Sequence, residues 1–251
     1  MSVTRNVIIS LGAVSLILGC GGGGSGGGGS DGPANSLGLN GVWGGVAEDD
    51  EFDVGTIVAT IEDRSIVKLI VDGIETGETA QLTRSASDVF EYSTSSDVIG
   101  GFLTDSGSRY AVFVNELWDF GVLQRGASAP FGVASLADLD GEWSGSVIGF
   151  FGEEYYRYNS SGFCTTGSCI FTVTSPVVDS EGNELFDVTG LQSLVGVGLR
   201  SALAFDLQWV NEVDSGVGAA VLSKDKKFLG AYLCPPNYLL EDCEFAAMTK
   251  Q

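Results

Sequence analysis

LNGVWGGV, residues 39–46, returns as LDGEWSGSV at 139–147. Leu39, Gly41, Trp43 and Gly45 each find their match 100 residues on, in Leu139, Gly141, Trp143 and Gly145. Seven residues that keep Leu-x-Gly-x-Trp-x-Gly in register point to a duplicated unit, each copy opened by the same strand. A second match pairs Ala111-Val112 and Phe120-Gly121 with Ala220-Val221 and Leu229-Gly230, now at a spacing of 109. The growth in spacing places about nine extra residues in the second copy, and FGEEYYRYNSSGFCTTG (151–167) is the stretch expected to hold them. RGASAPFGVAS, 125–135, has the Gly, Ala, Ser and Pro of a connector. The expected domains are therefore 39–135 and 136–251.

Each copy reads as strands. In the first they are expected near 41–47, 54–62, 65–72, 79–84, 88–93, 97–104, 109–115 and 118–125. The runs Thr56-Ile57-Val58-Ala59-Thr60-Ile61 and Ser65-Ile66-Val67-Lys68-Leu69-Ile70-Val71 are rich in β-branched residues. Asp72-Gly73, Asp105-Ser106-Gly107 and Glu181-Gly182-Asn183 supply turn chemistry. The nearest thing to a helix is 191–203, which Gly196 and Gly198 weaken. The fold class is all-β: two tandem small antiparallel up-and-down β-barrels, with β-sandwiches as the alternative.

Gly-x-Trp on the opening strand, at Gly41/Trp43 and Gly141/Trp143, resembles the lipocalin, avidin and wider calycin group. That resemblance implies a Trp packed across the floor of each barrel and a ligand-binding interior. The copies are shorter than lipocalins and lack their later motifs, and a small eight-stranded barrel can be filled by its own side chains.

Ahead of the repeats come MSVTRN, the apolar run VIISLGAVSLILG and Cys20. One Arg and a short apolar stretch read as an export signal, too short to span a bilayer comfortably. Ile17-Leu18-Gly19-Cys20 resembles the lipobox of bacterial lipoproteins. The resemblance implies a signal peptide over 1–19, cleavage before Cys20, and a diacylglycerol and palmitate anchor on that cysteine. GGGGSGGGGS follows at 21–30. A Gly/Ser chain is a flexible coil, so 20–38 reads as a tether with an end-to-end distance of about 20–25 Å and a stretched reach of roughly 60 Å. Gly21 after the lipid site, by the same resemblance, implies the outer membrane.

The chain holds 33 acidic and 12 basic residues and no histidine, for a net charge of −21. Residues 39–135 carry 16 acids and 5 bases, and 136–251 carry 16 and 6. An even acidic coat keeps a protein soluble and excludes nucleic acid, which needs basic patches. The expected partners are the bilayer, through the acyl anchor, and an envelope protein or small ligand. Besides Cys20 there are Cys164, Cys169, Cys234 and Cys243. Three disulfide connectivities are possible; the short spacings of CTTGSC and CPPNYLLEDC favour Cys164–Cys169 and Cys234–Cys243, and neither has metal-knuckle spacing.

Without histidine, Ser-His-Asp and Cys-His catalysis are excluded. Ser223-x-x-Lys226 has the spacing of a nucleophile and its base, but SKDKK reads as a charged turn. The acidic run 47–53 and Asp138–Glu142 read as a solvated loop and a strand entry in preference to calcium sites. Aromatic residues gather at 115–120 and 153–158, the latter within a candidate contact surface over 153–169. No catalytic residue, metal or cofactor is selected. The expected function is a binding or structural module of an anchored envelope lipoprotein; the alternative is an inhibitor of an envelope protease or lysozyme presenting a loop such as 164–169.

Overall fold

The computed structural model describes residues 38–49, 53–84, 89–96, 99–105, 108–115, 119–151, 154–236 and 243–251. The signal peptide expected over 1–19, Cys20 and all but the last residue of the expected tether lie outside the described residues.

The first repeat forms β1 (Gly41–Glu48), β2 (Val54–Glu62), β3 (Ser65–Val71), β4 (Ile74–Glu75), β5 (Ala80–Arg84), β6 (Val89–Thr94), β7 (Ile99–Thr104), β8 (Tyr110–Asn115) and β9 (Phe120–Arg125). The eight long strands pair antiparallel in sequence order, and β1 joins β9 to close the ring, leaving β4 as a flap on β3. The second repeat forms β10 (Gly141–Phe151), β11 (Glu154–Thr165), β12 (Ser168–Val173), β13 (Val177–Asp179), β14 (Glu184–Phe186), β15 (Gln192–Ser201), β16 (Ala204–Val210), β17 (Ser215–Leu222), β18 (Phe228–Cys234) and β19 (Glu244–Lys250). It closes in the same way through β10 and β19, with β13 and β14 as an extra hairpin. The chain is thus two tandem closed antiparallel eight-stranded barrels. The helix considered for 191–203 is strand β15.

The repeated motif does the same work twice. Trp43 and Trp143 are each 1% exposed, and each indole Nε1–H donates to the carbonyl four residues earlier, Leu39 or Leu139, at 2.7 Å. Gly41 and Gly141 take φ of +130° and +123°, where a side chain would be strained. A Cβ on Gly45 would lie 1.7 Å from the Val122 carbonyl oxygen, and on Gly145 1.9 Å from that of Ala247, so only glycine lets the closing strand approach. A cation covers each floor. Arg125 lies 5.7 Å over Trp43 and donates to the carbonyls of Gly38 and Asn40. Lys250 lies 5.4 Å over Trp143 and donates to that of Asp138.

The register corrects the second sequence match. Trp43 faces Arg125 and Trp143 faces Lys250, so the spacing between copies grows from 100 at the first strand to 125 at the last. Ala220 sits on β17, whose counterpart is β7, and Leu229-Gly230 on β18, whose counterpart is β8. The 109-residue match is one strand out of step. Short apolar strands rich in Ala, Val and Gly recur around each ring, and only closure distinguishes one from the next. The stretch 151–167 accounts for only about three of the extra residues, the partner of the floor Trp moving from Ala59 to Gly162, and β11 pairs with β10 along nearly its whole length. The extra chain includes the hairpin β13–β14 and the β18–β19 connection.

The barrels share one apolar cluster. Val46, Leu103, Tyr110, Val112, Phe120 and Val122, from the outer face of the first barrel, pack with the core of the second. Equivalent positions meet there. Tyr110 stacks on Phe228 at 4.9 Å, Phe120 approaches Phe245 at 6.5 Å, and Val112 fills the space above Gly230. A face meeting its own counterpart is the pattern of a two-fold dimer interface, here built within one chain. The connector is packed into this seam, with Ala127, Phe131 and Ala134 buried. The SKDKK turn clasps it. Asp225 accepts from Tyr110 Oη at 2.7 Å and Arg109 at 3.0 Å, and its own N–H donates to Gln124 Oε1 at 3.0 Å.

Candidate functional site

The interiors of the two barrels differ. The first packs Trp43, Ile61, Ile66, Leu82, Phe90, Tyr92, Phe113 and Leu123 into its core, and the pocket against Leu39, Trp43 and Ile61 holds about 10 Å³. The second keeps a cavity of about 70 Å³ above Leu139, walled by apolar side chains including Val147, Phe171, Val195, Leu207, Ala246 and Met248. Tyr158 and Ser160 are among its few polar neighbours.

Register aligns the two interiors position by position. Gly55 faces Ala47 in the first barrel, and Tyr158 faces Val147 at the matching place in the second. Thr94 faces Ala80, where Trp209 faces Val195. At these places the second barrel carries aromatic side chains where the first has small residues.

A carboxylate stands among them. Glu244, the first residue of β19, lies on the same strand face as the cavity-lining Ala246 and Met248. Tyr156 Oη donates to Glu244 Oε1 at 2.9 Å, and Tyr158 Oη to Oε2 at 2.7 Å. The Tyr156 ring lies over Gly149, where a Cβ would come within 2.3 Å of Cζ. Burial first, and the Glu244 charge next, push both phenols well above their ordinary range, so both remain donors at every physiological pH. Trp209 Nε1, at the same end, is buried with no acceptor among the described residues.

Both disulfides are the local pairs. Cys164–Cys169 joins residues directly opposed on β11 and β12, where Ile61 and Ile66 are opposed in the first barrel. Cys234–Cys243 ties the end of β18 to the residue before Glu244 and so fixes where that carboxylate starts its strand. The bracket 164–169 is a tight turn with positive φ at Thr166 and Gly167, held by Asp140, and not a protruding loop.

The other sequence candidates are scattered. Asp49 and Asp53 bond to each other across the first hairpin turn; 50–52 lie outside the described residues. Asp138 anchors a short 3₁₀ turn (Leu136–Leu139) and accepts from Lys226 at 2.9 Å, which engages that lysine away from any nucleophilic role. Ser223 Oγ donates to Asp225. Among the described residues no three His, Cys, Asp or Glu side chains converge on a metal-sized point. In the 153–158 cluster the tyrosines divide: Tyr156 and Tyr158 face the interior and Tyr155 the outside. Period-two alternation in YYRY is the signal for that division, but the partner Glu244 lies 86 residues from Tyr158. A second, polar groove of about 630 Å³ runs between the barrels, lined by hydroxyls of Ser108, Ser144, Ser146 and Thr249 with Asp105 and Arg157. No family model matches the chain, and a search of curated proteins finds no relative.

Proposed function

We propose that this chain is a lipid-anchored envelope lipoprotein of the bacterial outer membrane whose second barrel binds a small ligand and whose first barrel is its structural mount. The observation that carries the binding role is the asymmetry of the interiors, about 70 Å³ of apolar space in one repeat and about 10 Å³ in the other. A concave apolar site with a few placed polar groups is the usual form of a small-molecule pocket. The calycin-like Gly-x-Trp strands support the same reading. The anchoring role rests on the lipobox-like Ile17–Cys20 and the Gly/Ser tether that follows. With a net charge of −21 the domains do not adsorb to anionic lipid by themselves, so an acyl chain supplies the attachment.

Two measurements test this. Cys20→Ser is expected to move the protein from the detergent phase and membrane fraction into the soluble fraction; unchanged partitioning overturns the anchor. For the barrel, 1-pentanol at ten times its dissociation constant is expected to stabilise the full chain by about 1.4 kcal/mol. Ala246→Val, which fills the cavity, should remove that effect. A wild-type melting curve that does not respond to the alcohol at any concentration below denaturing ones overturns the binding role.

A further inference from the structure

Resting on that reading of the second barrel, we infer that its ligand is a small alkylammonium: an apolar tail of a few atoms in the cavity and a positively charged nitrogen on Glu244. Three separate observations converge on this class.

The first is size. A water-sized group needs about 10–15 Å³ of such space, so the cavity takes roughly five to seven of them. That suits a butyl, pentyl or small branched chain and excludes a fatty acyl chain or a fused ring system.

The second is charge. Glu244 is half-buried on the interior face of β19, one rung from Ala246, and among the described residues no Lys or Arg pairs with it. Its two oxygens each accept one phenol O–H, at 2.9 and 2.7 Å. A carboxylate has about four acceptor positions, so two remain, and an ammonium brings three donors. Charge-assisted bonds of this kind are roughly twice as strong as neutral ones. An anionic ligand would meet the carboxylate and the field of a chain at −21. A neutral ligand would leave the charge unanswered.

The third is the surrounding chemistry. Tyr156 and Tyr158 hold the carboxylate through their hydroxyls, and Tyr158 also lines the cavity, so the acid is fixed beside the apolar space. In the first barrel, Asp119 occupies the place of Glu244, but Gly55 stands where Tyr158 does, and Asp119 is bonded to Asn115. Among the described residues, only the second repeat combines the acid, the phenols and the space.

The test is calorimetric titration of the full chain with n-pentylammonium, 1-pentanol and pentanoate, repeated on Glu244→Gln. The glutamine keeps the size of the side chain and can still accept from the tyrosines. Pentylammonium is expected to bind at least tenfold tighter than pentanol, and pentanoate more weakly than either. Glu244→Gln should cost at least tenfold for the ammonium and leave pentanol within twofold, the latter also reporting that the barrel is intact. Equal affinities for ammonium and alcohol, or no loss in Glu244→Gln, overturn the ammonium inference while the apolar pocket stands. If neither probe binds the wild-type chain, the pocket and the inference fall together.

Discussion

Trp143→Ala is expected to lower the unfolding free energy by about 3–5 kcal/mol, the range for a large aromatic removed from a packed site. The ring is 1% exposed and spans the floor of the second barrel. Its loss opens a void there, leaves the Leu139 carbonyl without its indole donor and leaves Lys250 over empty space. The damage should not stay in one repeat. Tyr110, Val112, Phe120 and Val122 of the first barrel belong to the same apolar cluster as Trp143, so the two barrels are expected to melt together. Chemical denaturation followed by tryptophan fluorescence and by far-ultraviolet circular dichroism checks this. Coincident curves shifted to lower denaturant are the expected result; a first-barrel transition left at its wild-type midpoint would mean that the seam does not couple them. Each half carries its own Trp and strand set, which taken alone would let each fold by itself. The seam changes that expectation, since a separated first barrel would expose its outward aromatic face to water.

Arg200→Ala is expected to cost a similar amount for a different reason. Glu48 is 2% exposed, and Arg200 Nη1 lies 2.8 Å from its Oε2. Removing one partner of a buried pair leaves an uncompensated charge, which typically costs about 3–5 kcal/mol. Burial holds the Glu48 carboxyl above the ordinary 4.5, against the lowering influence of Arg200 and a hydrogen bond from Tyr232, and Asp206 and Asp49 raise it further. The sign follows from linkage. A carboxyl raised in the folded state favours folding fully below its unfolded value and loses that contribution as pH rises through its folded value. Without Arg200 the carboxyl rises further, so more of the penalty disappears in acid. Urea midpoints of the variant should therefore approach wild type near pH 4 and fall well below it near pH 8. Adding Glu48→Gln to Arg200→Ala should restore much of the loss at pH 8. A cost that is the same at both pH values, or no rescue by the second substitution, would show that lost packing and not buried charge is responsible.

Local information determined a great deal about this protein. The eight main strands of the first repeat were legible to within about two residues at each end, because β-branched runs and Asp-Gly turns act over neighbouring residues. The Leu-x-Gly-x-Trp-x-Gly repeat marked both barrel floors, since every member serves one strand and its immediate approach. The disulfides were legible because both are short-range. The basic residues that cover the floors, Arg125 and Lys250, were not singled out, although each closes the last strand of its repeat.

Tertiary structure decided the rest. A ring of similar strands has no unique register until its ends meet, which is why the later repeat match slipped by one strand. Runs such as Tyr110–Asn115 are apolar on both faces, and only the packed pair of barrels shows that one face serves a core and the other a seam. Whether a barrel keeps a cavity depends on the sum of side chains from every strand, and no single position reports it: the copy with Tyr158 and Trp209 keeps the larger space, although the other has Gly55 and Thr94 at those places. The carboxylate and its two phenols come from opposite ends of the second repeat. They meet because the first and last strands of a closed barrel are neighbours, so the second strand faces the last across one intervening strand, a relation that closure alone creates.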